Sequence, residues 1–248
     1  MSEEILHIKC VLLGETAVGK SSILTRFLSD KFQNDFISTM SAYSSMKQVY
    51  FEKSNKKITY EIWDTAGEEK FRSVTKIFYQ DSKVVILIYD ITRKDSFEAL
   101  KNYWYIEVRD NSPKNVIIAI VGNKSDLYEY EEVTEDEGKE FANSVNAIFM
   151  QTSASNGTGI NELFDMIGNE IIKPEVFEKF KRNNTIKLKN SYSNINSTGE
   201  NLEKQNTNAV TKNNEINKNN VVNKNNKSGY NVKVEVVNEI KKKKKNCC

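Results

Sequence analysis

The sequence predicts an α/β fold: an open, mostly parallel sheet of six strands with helices on both faces. Three observations carry that prediction. Short apolar runs alternate along the chain with amphipathic stretches of helical period. Two of the runs, Val84-Val85-Ile86-Leu87-Ile88 and Val116-Ile117-Ile118-Ala119-Ile120-Val121, are continuously apolar, which suits strands covered on both faces. The third is a glycine-bearing turn, Gly14 to Gly19, set between the first strand and the first helix.

The elements follow in order. Ile8–Leu13 is interrupted only by Lys9 and reads as a strand, with His7 at its exposed start and Cys10 a small buried hydrophobe. Lys20–Ser29 has apolar residues at helical spacing. Met46–Glu52 and Ile58–Trp63 are strands joined by the polar loop Lys53-Ser54-Asn55-Lys56-Lys57, fit for a hairpin at a sheet edge. A helix is expected over Phe71–Asp81, then the buried strand Val84–Tyr89, a helix over Ser96–Asn111 and the buried strand Val116–Val121. The helix Glu135–Ser144, the strand Ala147–Gln151 and the helix Ile160–Ile172 complete the set.

The formal charge of +2 conceals two opposite halves. Residues 1–180 carry 21 Lys/Arg against 29 Asp/Glu, a net of −8, and residues 181–248 carry 15 against 5, a net of +10. The latter hold 19 Asn in 68 residues. So polar a composition cannot bury enough apolar surface to offset chain entropy, and it predicts a disordered tail over 181–248. Residues 5–175 then form one globular domain, which excludes a two-domain enzyme. No run of 18 apolar residues suits a transmembrane helix, and the acidic start MSEEILHIKC lacks a secretory signal. Three Cys, two of them adjacent, make no disulfide framework, so a cytosolic chain is expected. With one His and no cysteine pair in the body, a transition-metal site is not expected. Nucleic-acid binding is not expected either: the body is acidic, and the tail has Tyr192 and Tyr230 as its aromatics with no interleaved arginines.

Gly14-Glu15-Thr16-Ala17-Val18-Gly19-Lys20-Ser21 fits GxxxxGK[ST] at every fixed position, after a strand and opening a helix. Backbone N–H groups of such a loop, with the helix N-terminus, converge on one polyphosphate. Lys20 is placed to reach the β- and γ-phosphates, and the Ser21 hydroxyl to ligate Mg²⁺. Asp64-Thr65-Ala66-Gly67 ends an apolar run about 45 residues later. An acid at a strand's carboxyl end is where such a nucleotidase holds Mg²⁺, and Gly67, lacking a Cβ, lets the backbone approach the γ-phosphate. Alone, this motif matches any Asp before a turn. Asn123-Lys124-Ser125-Asp126 follows the most apolar strand. There a carboxylate can accept from both the guanine N1–H and 2-amino group, a donor pair adenine lacks. Asp126 therefore selects GTP over ATP, while Asn123 and Lys124 position the loop. An ATP-dependent enzyme would leave Asp126 nothing to read.

These three motifs, in this order, resemble the small Ras-like GTPases of the P-loop NTPase fold across residues 5–173. Ile62-Trp63-Asp64-Thr65-Ala66-Gly67, Leu87-Ile88-Tyr89-Asp90-Ile91-Thr92 and the Cys-Cys end look like the Rab branch. Gly14 to Ser22 with Ser38-Thr39-Met40-Ser41-Ala42 is most similar to its endosomal subgroup. The resemblance implies that Thr39 ligates Mg²⁺ only with GTP bound, that Phe32 stacks on the guanine edge, and that Ser153-Ala154 support the base. Residues of about 32–46 and 64–80 become two switches ordered by the γ-phosphate. Trp63 and Phe78 match two of three aromatic positions on a Rab effector surface, or else simply pack in the core. Implied partners are a guanine-nucleotide exchange factor, a GTPase-activating protein, a GDP-dissociation inhibitor and vesicle-transport effectors.

Three residues depart from the family pattern. Glu68 stands where the family has the Gln that orients the attacking water. An ionised Glu only accepts hydrogen bonds, and its charge faces the γ-phosphate, so intrinsic hydrolysis is expected below about 10⁻⁴ per second. The alternative is a constitutively GTP-bound, effector-recruiting module that hydrolyses almost nothing. Ser41 and Ser44 replace the Gly and Phe expected in the first switch, where Tyr43 offers an aromatic nearby. Ser155 replaces the Lys of a Ser-Ala-Lys motif, which is expected to weaken nucleotide binding somewhat.

Lys241–Lys245 abut Asn246-Cys247-Cys248. Terminal Cys-Cys resembles the Rab double-geranylgeranylation site, and stable anchoring takes two signals. Five lysines near an anionic leaflet add roughly 1 kcal/mol each. A flexible tail of this length spans about 45 Å. The chain is thus expected on the cytoplasmic face of endomembranes, endosomal or Golgi-type, with a cytosolic pool.

Overall fold

The computed structural model describes residues 4–32, 43–65 and 78–182. The chain falls into two compact units. The first takes in the described residues through Val176; of the second, which begins at Phe177, the described part is the helical segment 177–182.

The first unit is a six-stranded sheet of β1 (Glu4–Leu13), β2 (Tyr43–Phe51), β3 (Lys56–Asp64), β4 (Val84–Asp90), β5 (Ile117–Asn123) and β6 (Ile148–Thr152). The spatial order is β2-β3-β1-β4-β5-β6. β2 runs antiparallel to β3 at the edge, and every other pairing is parallel. The helices are α1 (Lys20–Ser29), α2, α3 (Glu135–Ser144) and α4 (Ile160–Ile171). α2 has three consecutive segments, Lys94–Ala99, Leu100–Trp104 and Tyr105–Asn111, of which the middle one is a π turn. The predicted architecture of an edge hairpin on an otherwise parallel sheet is the one found.

Three strands start before their apolar runs: β3 begins at Lys56, expected in the hairpin loop, because Lys56 pairs with both Phe51 and Glu4. β1 starts at Glu4 because its polar residues His7 and Lys9 alternate with buried Leu6 and Ile8 while pairing with β3. β2 starts at Tyr43, carrying the polar Ser44 and Ser45 opposite Trp63 and Ile62. Of the helix expected over Phe71–Asp81, residues 71–77 lie outside the described residues, and 78–79 are helical.

Both sheet faces are covered. On one, Phe27 of α1 stacks on Phe164 of α4 with ring centroids 3.5 Å apart. Tyr60 of β3 meets both rings edge-on and donates its hydroxyl to Phe164 O at 3.0 Å. On the other, Val85, Leu87 and Tyr89 of β4 pack with Tyr79 and with Phe97, Leu100, Trp104 and Val108 of α2. Alternate β4 residues serve opposite faces, so all seven are buried, the physical origin of its unbroken apolar run. Withdrawing each large side chain from water stabilises by about 1.5–3 kcal/mol. Trp63 and Phe78 are partly buried against this cluster, their ring centroids 5.4 Å apart, with the Lys9 ammonium over the Trp63 ring.

Candidate functional site

The site lies where β1, β3, β5 and β6 end, the crevice at the carboxyl edge of a parallel sheet. Between β1 and α1 the chain turns through positive φ at Gly14 (146°), Ala17 (64°) and Gly19 (99°). A Cβ at Gly14 would strike the Ile88 carbonyl, and one at Gly19 would strike the Asn123 side-chain amide. Both glycines are thus required by packing as well as by backbone conformation. Thr16 and Ala17 are exposed at the tip, whereas Val18 is buried. Gly19 caps α1 with no side-chain hydrogen bond, and the first turn, with Ser21 and Ser22, has no acidic residue. The amides of this helix start are therefore oriented for an external anion.

Lys20 is only 6% exposed, and its Nζ donates to Gly14 O (2.9 Å) and Glu15 O (2.8 Å). Burial pulls its amine down to about 8, against the opposing pull of the Asp64 and Glu15 carboxylates. The Ser21 hydroxyl donates to Asp64 Oδ2 at 2.5 Å, and Asp64, the last residue of β3, is fully buried. Thr65 Oγ1 donates to Leu12 O at 2.8 Å, fixing the chain leaving β3 against the end of β1.

Asn123 joins the two ends of the crevice. Its Nδ2 donates to Val18 O (2.8 Å), and its Oδ1 accepts from Thr152 Oγ1 (3.1 Å) and Ala154 N (3.3 Å). Lys124 has φ 69° and pairs with the buried Asp90 at 2.5 Å. Asp126 accepts from the Ser153 hydroxyl at 2.5 Å, and Ser153 Oγ in turn accepts from Asn156 N. Ala154 and Ser155 carbonyls accept from Arg26 Nε and Nη2 at 2.9 and 2.5 Å. The structure thus gathers Gly14 through Ser22, Asp64, Asn123, Lys124, Asp126, Ser153 and Ala154. Phe32 is half-buried just after α1. Thr39, Gly67, Glu68, Lys241–Lys245, Cys247 and Cys248 lie outside the described residues.

Four participants escape the motifs. Asp90 sits at the carboxyl end of its strand, the signal that found Asp64, and holds Lys124. Thr152 supports Asn123, and Arg26 ties α1 to the Ala154 loop. Trp104, at the end of the π turn, donates Nε1–H to Glu15 Oε1 at 2.9 Å, tying α2 to the phosphate loop. One expectation needs correcting. Tyr43 pairs with Asp64 while Ser44 pairs with Trp63, so Tyr43 lies on the sheet face opposite Trp63 and does not replace the missing switch aromatic there.

The Ras family model matches residues 9–173. The human Ras-related protein Rab-22A is 44% identical over 165 residues, spanning 66% of this chain and 84% of its own. The chain belongs to the Ras family, in its Rab branch. Human Rab-31 is 41% identical over 184 residues (74% and 92% of the two chains), and RabC of Dictyostelium discoideum is 38% identical over 171 residues (69% and 86%). Membership makes this Rab-branch protein a GTP-binding GTP hydrolase, and its motifs fall inside the matched span.

Proposed function

We propose that this GTPase is a Mg²⁺-dependent GTP/GDP switch in vesicle trafficking, acting on endocytic membranes to which its tail anchors it. The observation that carries the reading is the double tie made by Asn123, which binds the phosphate loop at Val18 and the Asp126–Ser153 end through Thr152 and Ala154. One residue thereby spaces a polyphosphate cradle from a purine-reading carboxylate.

The donor set suits the ion. A buried carboxylate and a serine hydroxyl, both hard oxygen donors and already in contact, are what Mg²⁺ takes from protein. Ser21 and Asp64 would hold it, with Thr39 added in the GTP state. An ion held by Ser21 and Asp64 would supply positive charge to the phosphates of the bound nucleotide. Lys20 and the loop amides stabilise charge on the same phosphates, and Gly67 senses the γ-phosphate. Asp126 accepts from the guanine N1–H and 2-amino group, held by Ser153 for that purpose, and Phe32 closes over the base.

Glu68 in place of Gln makes hydrolysis slow, so the active state lasts until an activating protein intervenes. Exchange factor, GDP-dissociation inhibitor and effectors act through the switch surfaces, and prenylation of Cys247 and Cys248 with Lys241–Lys245 supplies the membrane anchor. The second reading, a module held permanently with GTP, rests on the same Glu68. The relatives named Rab-22A and Rab-31 support the trafficking role. Displacement of mant-GDP tests nucleotide choice: GDP displaces it and ADP does not, whereas Asp126→Ala weakens GDP by 10²-fold or so, about 3 kcal/mol for two charge-assisted hydrogen bonds. Equal displacement by ADP contradicts it.

A further inference from the structure

Trp104 ends the π turn of α2, where the Tyr105 N–H donates to Leu100 O, five residues back. Such turns recur at functional sites. The indole is buried in the core cluster on the sheet face that α2 covers, with the Tyr103 ring edge-on to it at 5.1 Å. A buried indole N–H needs an acceptor, and here the acceptor is a carboxylate: Nε1–H donates to Glu15 Oε1 at 2.9 Å. A charged acceptor makes this the stronger kind of hydrogen bond. Glu15 is also held through its backbone, whose carbonyl accepts from Lys20 Nζ at 2.8 Å.

We propose that Trp104 is a positioning residue for the bound nucleotide, its indole N–H holding Glu15 and with it the first half of the phosphate loop. The inference rests on the reading of Gly14 to Ser21 as a phosphate cradle. Asn123 grips the second half of that loop at Val18 O, and Thr16 and Ala17 between the two grips are exposed at the tip. The loop is thus held on both flanks, from β5 by a motif residue and from α2 by a residue outside every motif. α2 is itself anchored one turn beyond Trp104, where the Tyr79 hydroxyl donates to Glu107 Oε2 at 3.0 Å. The tie also gives an acidic side chain a place in a loop that receives polyphosphate, where an untethered carboxylate would repel the phosphates.

The test is mant-GDP release from the full chain at saturating Mg²⁺, in wild type and in Glu15→Gln and Glu15→Ala, each alone and combined with Trp104→Phe. Both Glu15 substitutions remove the charge, but Gln keeps an oxygen that accepts from the indole N–H. The expected result is release about tenfold faster from Glu15→Ala than from Glu15→Gln, the size of one buried hydrogen bond. Adding Trp104→Phe to both removes that difference. Equal release from the two Glu15 variants overturns the inference, and that comparison stands without the Trp104 variant. A difference that persists with Trp104→Phe also overturns it, because Glu15 then acts without the indole. Either outcome, with mant-GDP retained by the wild type, leaves the phosphate cradle standing. A wild type that fails to retain mant-GDP overturns both the inference and the reading on which it rests.

Discussion

Lys20 holds a cation almost out of water, and desolvation brings its amine down to about 8. The sign follows directly. Its charge, which serves the phosphates, is present below pH 8 and is lost as pH rises through that value. GDP affinity is therefore expected to fall by about tenfold between pH 7 and pH 9, one unit above the midpoint, as read by mant-GDP titration. A flat profile would show that Lys20 does not meet the phosphates. Asn123 makes a second residue-scale case. Asn123→Ala removes three buried hydrogen bonds and should lower the unfolding free energy by about 2–4 kcal/mol in urea titration. Nucleotide affinity should fall with it. A surface polar residue would cost far less.

At the scale of elements, α3 is set by its start. Thr134 Oγ1 accepts from Glu137 N (3.2 Å) and Glu137 Oε2 accepts from Thr134 N (2.9 Å), a complete capping box. Thr134→Ala should cost about 1 kcal/mol in thermal unfolding. The Thr134 backbone N–H, then its hydroxyl, lower the Glu137 carboxyl. That share of stability is present above the ordinary carboxylate range and lost as pH falls through the lowered value. Glu137→Ala should therefore destabilise at neutral pH and not in strong acid. The bounds of α3 were legible from its amphipathic period over Glu135–Ser144, and the structure adds the box that caps its start. β4 and β5 were legible because burial on both faces keeps them apolar until their ends at Asp90 and Asn123. The early start of β2 was not, since Ser44 and Ser45 become strand only through pairing with β3. Nor was the π turn of α2, because Phe97, Leu100, Trp104 and Val108 keep an ordinary helical spacing.

Over the whole molecule, the same division separates what the sequence discloses from what the fold adds. The phosphate loop, Asp64 and Asn123-Lys124-Ser125-Asp126 are contiguous motifs whose chemistry is local, and the structure brings them to one crevice. Arg26, Asp90, Thr152 and Trp104 act through partners fixed only by the fold: Trp104 reaches Glu15 across 89 positions and Arg26 reaches Ala154 across 128. Charge also belongs to this scale. The body is acidic and the tail carries a net +10, so in the proposed membrane role it is the tail that meets an anionic leaflet. Replacing two of Lys241–Lys245 by Gln should weaken partitioning of the prenylated protein onto anionic vesicles by about thirtyfold, roughly 1 kcal/mol per lysine. Raising salt should do the same. The central claim is a slow, guanine-specific switch, and single-turnover GTP hydrolysis with Mg²⁺, wild type beside Glu68→Gln, tests it most directly. The account predicts slow turnover in wild type and faster turnover in the variant; wild type as fast as Glu68→Gln would contradict it.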